Sequence, residues 1–265
     1  MDAEQFKADL IQAGYSRDEA QTLIRYIAED FPEASPEEVH SIILRLIAQE
    51  PYAYIAGYQP FFNLNIKVNS NVLIPRPETE ELLQLILKEN TGSTALNALD
   101  LGTGSGCIAL ALKSARPHWN VYGLDLHESA LNVAKFNSIQ LNLAVDFYLF
   151  SMENAHTWQG EKMHIMVSNP PYVPKERASS LEARVKDFEP ASALFSPENQ
   201  PLFYYHCLLR WAELHLKTSG CLWLETDAEG HKQTQQLLAG SAIFKQIESL
   251  SDFRGNPRFL KAYKK

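Results

Sequence analysis

Asn169-Pro170-Pro171-Tyr172 closes an apolar run, Met163–Ser168, with an amide, two rigid residues and an aromatic ring. Proline fixes φ, so the carbonyl of Pro170 is held in one direction, and Asn169 adds a side-chain carbonyl acceptor. Two acceptors held this way can take both hydrogens of one planar –NH2 group, with Tyr172 lying over the plane. Such a nitrogen is a poor nucleophile because its lone pair is delocalised. Holding both N–H bonds out of the plane localises the lone pair and aims it at an electrophile. No strong base is needed before attack, since the proton can leave once the nitrogen is cationic. Alignment then supplies much of the rate, and effective-molarity effects can contribute roughly 7–11 kcal/mol. The bland alternative is a strand that ends on a Pro-Pro turn.

A second stretch supplies a place for the electrophile. Asp100-Leu101-Gly102-Thr103-Gly104-Ser105-Gly106 lies between an apolar run and a helical stripe. Glycines at such a turn let the backbone approach a ligand closely, and open α/β sheets bind ligands at the carboxyl ends of their strands. The dinucleotide pattern GxGxxG fails in its strict form, because its last position falls on Cys107, and no Gly-Lys-Ser/Thr follows for a P-loop. Asp125 stands 19 residues beyond Gly106, at the end of the next strand, where a carboxylate can bridge two ribose hydroxyls. Asp100 can accept from a cationic ammonium group. Together, with no pyrophosphate to cradle, these residues suit S-adenosylmethionine. A lone glycine loop could be only a tight turn; Asp100 and Asp125 on consecutive strands favour a cofactor.

The elements that carry these motifs are legible from periodicity. Strand-like runs are Leu96–Leu101, Asn120–Leu126, Val145–Phe150, Met163–Ser168 and Cys221–Glu225, with helices near Gly106–Ala115, Ser129–Gln140 and Leu202–Leu216. A helix near Gly230–Leu238 and strands Phe244–Leu250 and Arg258–Tyr263 follow. Alternating strands and helices predict a mainly parallel sheet with right-handed crossovers, and the short turn before the last strand makes that strand antiparallel. Upstream, Ser16-Arg17-Asp18-Glu19 and Ser35-Pro36-Glu37-Glu38 are capping boxes opening amphipathic helices, and 3–13 completes a small bundle. Phe62–Val68 alternates, Asn69-Ser70-Asn71 reads as a turn and Val72-Leu73-Ile74 follows, which predicts a hairpin between two domains. Glu78–Lys88 resumes as a helix.

Composition narrows the partners. A chain of 265 residues with 45% hydrophobic and 21% charged residues is an ordinary globular protein. Acids among the first thirty residues speak against a signal peptide, and no apolar run reaches transmembrane length. Three scattered cysteines and no HExxH-like spacing predict neither disulfides nor a metal, and a reducing cytoplasm is the simplest setting. The net charge of −8 lowers the expectation of a nucleic-acid partner. Arg254, Arg258, Lys261, Lys264 and Lys265 read as a solvated edge.

The glycine loop and Asn-Pro-Pro-Tyr resemble those of amino-group methyltransferases, which act on adenine, guanine or protein glutamine. The tetrad alone leaves base and glutamine equally open. The narrower resemblance is to the release factor glutamine methyltransferases, the HemK type. It rests on Glu50–Gly57, on Val72-Leu73-Ile74-Pro75-Arg76-Pro77-Glu78-Thr79-Glu80, on Asp100–Leu110, on Val167–Pro174, on Phe188-Glu189-Pro190 and on Asp252…Gly255…Arg258. The chain departs from the family where "ASALFSPENQPLFYY" follows Pro190, and where Glu225-Thr226-Asp227 replaces the usual Glu-Ile-Gly.

That resemblance implies an α/β fold with a seven-stranded, Rossmann-like class I methyltransferase domain at 79–265, a β-hairpin linker at 58–78 and a substrate-docking helical bundle at 1–57. It implies methyl transfer from S-adenosylmethionine to the glutamine of the Gly-Gly-Gln loop of class 1 peptide chain release factors, without direct nucleic-acid or membrane partners. Gly102, Gly104, Gly106 and Asp125 would hold the cofactor with Asp100, Thr103 and Ser105; Arg76 and Thr79 would fall nearby. Met152 and Glu153 would sit by the adenine, in a loop that differs from the commoner Asp-aromatic form. Asn169 would contact cofactor and glutamine, with Pro170, Pro171 and Tyr172 shaping the amide pocket. A nucleic-acid amino methyltransferase acting on a flipped base and a non-catalytic adaptor are the rivals.

Overall fold

The computed structural model describes residues 3–265; Met1 and Asp2, with which the expected bundle begins, lie outside the described residues. Four helices come first: α1 (Ala3–Gln12), α2 (Arg17–Asp30), α3 (Pro36–Ile47) and the short α4 (Tyr52–Ala56). Both expected capping boxes are present. Ser16 Oγ accepts from Glu19 N at 3.2 Å and Ser35 Oγ from Glu38 N at 3.3 Å, with each glutamate reaching back to its cap N–H. Such a cap stabilises a helix by about 1 kcal/mol. Leu10, Ala20, Ile43 and Leu46 bury one apolar core between these helices.

The hairpin differs from the sequence expectation. Its strands are β1 (Tyr58–Phe61) and β2 (Leu64–Lys67), and its turn is Phe62-Asn63, both residues with left-handed φ of 46° and 60°. Two positive φ values make the tight turn whose twist matches antiparallel strands. Asn69–Asn71 is not the hairpin turn, and 72–74 forms no strand. Tyr52 and Tyr58 both donate to the Asp30 carboxylate, at 2.6 Å each, which ties α4 and the hairpin to the end of α2.

The remaining elements are α5 (Pro77–Glu89), β3 (Asn97–Leu101), α6 (Cys107–Ala115), β4 (Asn120–Asp125), α7 (Glu128–Gln140), β5 (Asp146–Leu149) and β6 (Met163–Ser168). Then come the single-turn helices α8 (Ala183–Lys186) and α9 (Ala191–Leu194), α10 (Phe203–His215), β7 (Leu216–Glu225), α11 (His231–Gly240), β8 (Phe244–Ser251) and β9 (Pro257–Lys264). Seven strands form one sheet in the order β5-β4-β3-β6-β7-β9-β8; β9 runs antiparallel to both neighbours, and the other pairings are parallel. Both faces are covered. Along β7, Cys221 and Trp223 join the cluster under α5 and α6, while Leu222 and Leu224 join the one under α10 and α11, as the two-residue period of a strand requires. No helix is long and apolar enough to cross a membrane among the described residues.

The tail is not a solvated edge throughout. β9 lies between β7 and β8, so its side chains face sheet neighbours: Lys261 pairs with Glu89 at 2.6 Å and Glu248 at 3.3 Å, and Lys264 donates to three carbonyls. Arg258 points into the site described next. Arg254 and Lys265 are exposed, as their charge suggests; Arg258, Lys261 and Lys264 are drawn in by the strand order, which local periodicity does not encode.

Candidate active site

β3 and β6 are neighbours in the sheet, so the segments that follow them meet at its carboxyl edge. Ser168, the last residue of β6, donates to the carbonyl of Leu101 at 2.6 Å and locks the two strand ends together. The glycine loop then bends over β4: Gly102 N and Thr103 N both donate to Leu124 O at 2.9 Å. Gly102 and Gly104 have φ of 78° and 53°, a region costly for residues with a Cβ. Asp125 closes the turn. Its Oδ2 accepts from Gly104 N and its Oδ1 from His127 N, each at 2.9 Å.

Between loop and tetrad opens a cleft of about 1020 Å³ including its mouth. Gly102, Thr103, Gly104 and Ser105 line one side, with Asp125, Met152 and Glu153; Arg76, Thr79, Asn169 and Pro171 line the other. Met152 and Glu153 lie on a short helix, Met152–Thr157, after β5. Pro170 is buried, and Tyr172 is half-buried beside the cleft wall.

Asp100 and Gly106 stand behind the loop. Asp100 accepts the Thr103 hydroxyl at 2.6 Å on Oδ2, and its Oδ1 is buried without a donor among the described residues. Burial pushes this carboxyl up to about 7, and the Thr103 and Ala109 hydrogen bonds oppose the rise. The sequence placed Asp100 against an ammonium group; here it braces the loop from within. A Cβ at Gly106 would crowd Ala134, Phe147 and Leu110 at 3.1–3.2 Å, and its φ of 81° also favours glycine.

The residues fit a nucleoside that carries no phosphate. Asp125 keeps lone pairs free of its two backbone donors, Ile108, Leu126 and Phe150 offer apolar surface, and a Cβ at Gly104 would project without meeting any atom within 4 Å. Of the cations on the wall, Arg76 is committed to Glu189, which also accepts from Ile74 N at 3.2 Å. Burial raises the Glu189 carboxyl and the Arg76 guanidinium opposes that rise. Thus the Pro-Arg-Pro segment and Phe188-Glu189-Pro190 hold one another.

A family model, the methyltransferase small domain, matches residues 78–194. The chain is 36% identical over 241 residues to a release factor glutamine methyltransferase of Enterococcus faecalis, covering 91% of this chain and 85% of that one. It is 39% identical over 231 residues to one of Streptococcus pneumoniae, covering 86% and 80%. This chain belongs to the release factor glutamine methyltransferases. Membership bears out the expected enzyme class and the expected methyl donor, S-adenosylmethionine. Among solved structures, the hMettl16 catalytic domain in complex with MAT2A 3'UTR hairpin 6 matches with a TM-score of 0.57 at 16% identity, covering 76% of each chain. A ribosomal protein L11 methylase of Lactobacillus delbrueckii matches at 0.51 and 16%, covering 78% of this chain and 89% of that one. Those two likenesses are of fold, and they bear out the expected seven-stranded methyltransferase sheet.

In this glutamine methyltransferase the structure adds residues that sequence reasoning missed. Glu225, at the end of β7 and 0% exposed, accepts the Thr79 hydroxyl at 2.7 Å and Arg258 Nη2 at 2.9 Å. Thr79 Oγ1 is 3.0 Å from Asn169 Nδ2, and Arg258 also donates to the Tyr172 hydroxyl at 2.9 Å. Burial raises the phenol pKa of Tyr172, so it stays protonated. Tyr204, ahead of β7 on α10, also lines the cleft. The signal for Arg258 and Glu225 was present, because both fall in segments compared with the family, but local patterning gave neither a task.

Proposed function

We propose that this chain transfers a methyl group from S-adenosylmethionine to the side-chain amide nitrogen of the glutamine in the Gly-Gly-Gln loop of class 1 peptide chain release factors. The observation that carries the reading is the placement of Asn169 on the wall of the cleft that the glycine loop and Asp125 also line, in a chain of this family. When bound, the cofactor supplies a methyl group on a cationic sulfur. The chain does the rest. Asp125 and the loop backbone hold a nucleoside, with Met152 and Glu153 on the same side. Asn169 Oδ1 and the Pro170 carbonyl each accept one hydrogen of the glutamine –NH2, fixing the nitrogen and turning its lone pair toward the donor. Pro171 and Tyr172 bound the amide pocket, and the released proton leaves after transfer.

The helices of residues 1–57 are the candidate docking surface for the release factor, the hairpin within 58–78 being their link to the methyltransferase domain at 79–265. The reaction takes place in the cytoplasm, where translation factors act, and nucleic acid and membrane are not partners. The test is transfer of label from S-adenosylmethionine to unmodified release factor, with unmethylated DNA and RNA as competing acceptors and the modified residue located by mass spectrometry. Label in the glutamine, and its loss in a folded Asn169→Ala variant, is the expected result; label in nucleic acid alone would reject the reading.

A further inference from the structure

We infer that Glu225 and Thr79 are positioning residues that decide which end of the Asn169 amide faces the substrate. The inference rests on the reading of Asn169 as an acceptor for a glutamine –NH2. An amide has an oxygen end and a nitrogen end of nearly the same shape, so packing alone does not choose between them. Only the oxygen end serves: a flipped amide would set –NH2 against –NH2, donor to donor.

The hydrogen-bond chain makes the choice. Glu225, when ionised, can only accept. Arg258 Nη2 occupies its Oε1 at 2.9 Å, and Thr79 Oγ1 meets its Oε2 at 2.7 Å. Thr79 has one hydroxyl proton, and that bond uses it. Toward Asn169, 3.0 Å away, Thr79 can therefore only accept, so the atom it meets is Nδ2. Oδ1 is then the end turned elsewhere, on a residue that lines the cleft. Burial raises the Glu225 carboxyl, and Arg258 opposes that rise. The same guanidinium holds the Tyr172 hydroxyl at 2.9 Å. One buried carboxylate thus holds Asn169 through Thr79 and Tyr172 through Arg258, joining segments that lie far apart in the chain.

Three variants of the full chain test this: Thr79→Val, Thr79→Ser and Glu225→Gln, each measured for kcat and KM on release factor, for cofactor Kd and for thermal unfolding. Thr79→Val keeps the shape but frees the amide to flip, and should lower kcat by about tenfold, the order expected for one lost hydrogen bond in the aligned state. Thr79→Ser keeps the hydroxyl and should recover most of that loss. Glu225→Gln should fall below Thr79→Val despite its matching size. Arg258 keeps the oxygen of the introduced amide, so the –NH2 of that amide faces Thr79, whose proton then turns toward Asn169 and selects the wrong end. Cofactor Kd should move by less than about twofold, because the chain acts on the acceptor amide and not on the nucleoside. Wild-type kcat in Thr79→Val, failure of Thr79→Ser to recover it, or a loss carried by cofactor Kd would each overturn the inference. If Glu225→Gln does not fold, the Val and Ser pair decides alone. A wild-type enzyme that leaves the glutamine unlabelled would instead reject the underlying reading.

Discussion

At the scale of single residues, Asp100 has the most measurable consequence. Its carboxyl lies behind the glycine loop with one oxygen on Thr103 and the other without a donor among the described residues, and burial pushes it from 3.8 up to about 7. Between those values the folded protein holds a proton that the unfolded chain has released. This group's contribution to stability is therefore whole below the unfolded pKa and is lost as pH rises through the folded one. Asp100→Asn keeps an oxygen for Thr103 and cannot ionise. Going from about pH 5 to about pH 8, the wild type should lose about 2–3 kcal/mol more than the variant, at 1.36 kcal/mol per pH unit over the interval below 7. Urea unfolding of both proteins without cofactor at the two pH values measures it, and parallel losses would show that Asp100 is ionised throughout. Residue types are legible here, since the sequence sets Asp100 as an acid directly beside the glycine loop. Its direction is not, because the Thr103 hydroxyl, three residues on, takes Oδ2 from within the loop. The Glu225–Thr79–Asn169 chain is invisible for a different reason: its members are separated by 146 and 90 residues, and only the packing of α5 beside the ends of β6 and β7 joins them.

At the scale of elements, one buried side chain fixes three segments at once. Asn137 on α7 is 1% exposed; its Oδ1 accepts from Lys67 N at 2.8 Å, and its Nδ2 donates to Lys67 O at 3.0 Å and Ser105 O at 2.9 Å. It therefore pins the end of the hairpin and the glycine loop to the same helix. Asn137→Ala leaves the part-buried N–H and carbonyl of Lys67 and the buried carbonyl of Ser105 to find other partners, which should cost about 1–3 kcal/mol. It should also weaken cofactor binding severalfold, because the loop loses a tether next to Gly104. Chemical denaturation and a cofactor titration check the two effects; a loss under about 0.5 kcal/mol would mean that water replaces the side chain at no cost. The elements themselves were readable where they are regular. β6 runs from Met163 to Ser168 as expected, and the other sheet strands except β7 fall near their predicted bounds. The hairpin was misplaced because Asn69-Ser70-Asn71 has a stronger turn composition than Phe62-Asn63. The turn nevertheless forms where the strands' apolar faces, Phe61 and Ile66, can both reach the core. β7 begins at Leu216 and not at Cys221, since Lys217, Ser219 and Gly220 carry no strand signal of their own.

At the scale of the whole molecule, charge is divided unevenly. Residues 1–57 carry eleven acids and four bases, so −7 of the chain's net −8 belongs to the helical segment proposed as the docking surface. The remainder of the chain is nearly neutral. A surface of this sign raises the local concentration of a positively charged partner and repels a polyanion, over distances set by the Debye length of about 8 Å at physiological salt. In the proposed reaction the transfer depends on Asn169, whose amide is held by a hydrogen bond to Thr79 and not by these exposed charges. Ionic strength should therefore act on encounter and not on chemistry. Raising salt from about 0.05 M to about 0.5 M should increase KM for release factor severalfold while kcat stays within about twofold, since exposed charges are screened across that range. Cofactor Kd, measured alongside, should remain flat, because the Asp125 contacts are local. Substituting Glu37 and Glu38 does not suit the purpose, as Glu38 closes a capping box. Exposed Asp18 and Glu29 are better choices. Their replacement by lysine should reproduce the high-salt KM at low salt without lowering kcat. A KM that ignores both salt and these reversals would remove the acidic bundle from substrate docking and leave the rim of the cleft as the sole site of release factor recognition.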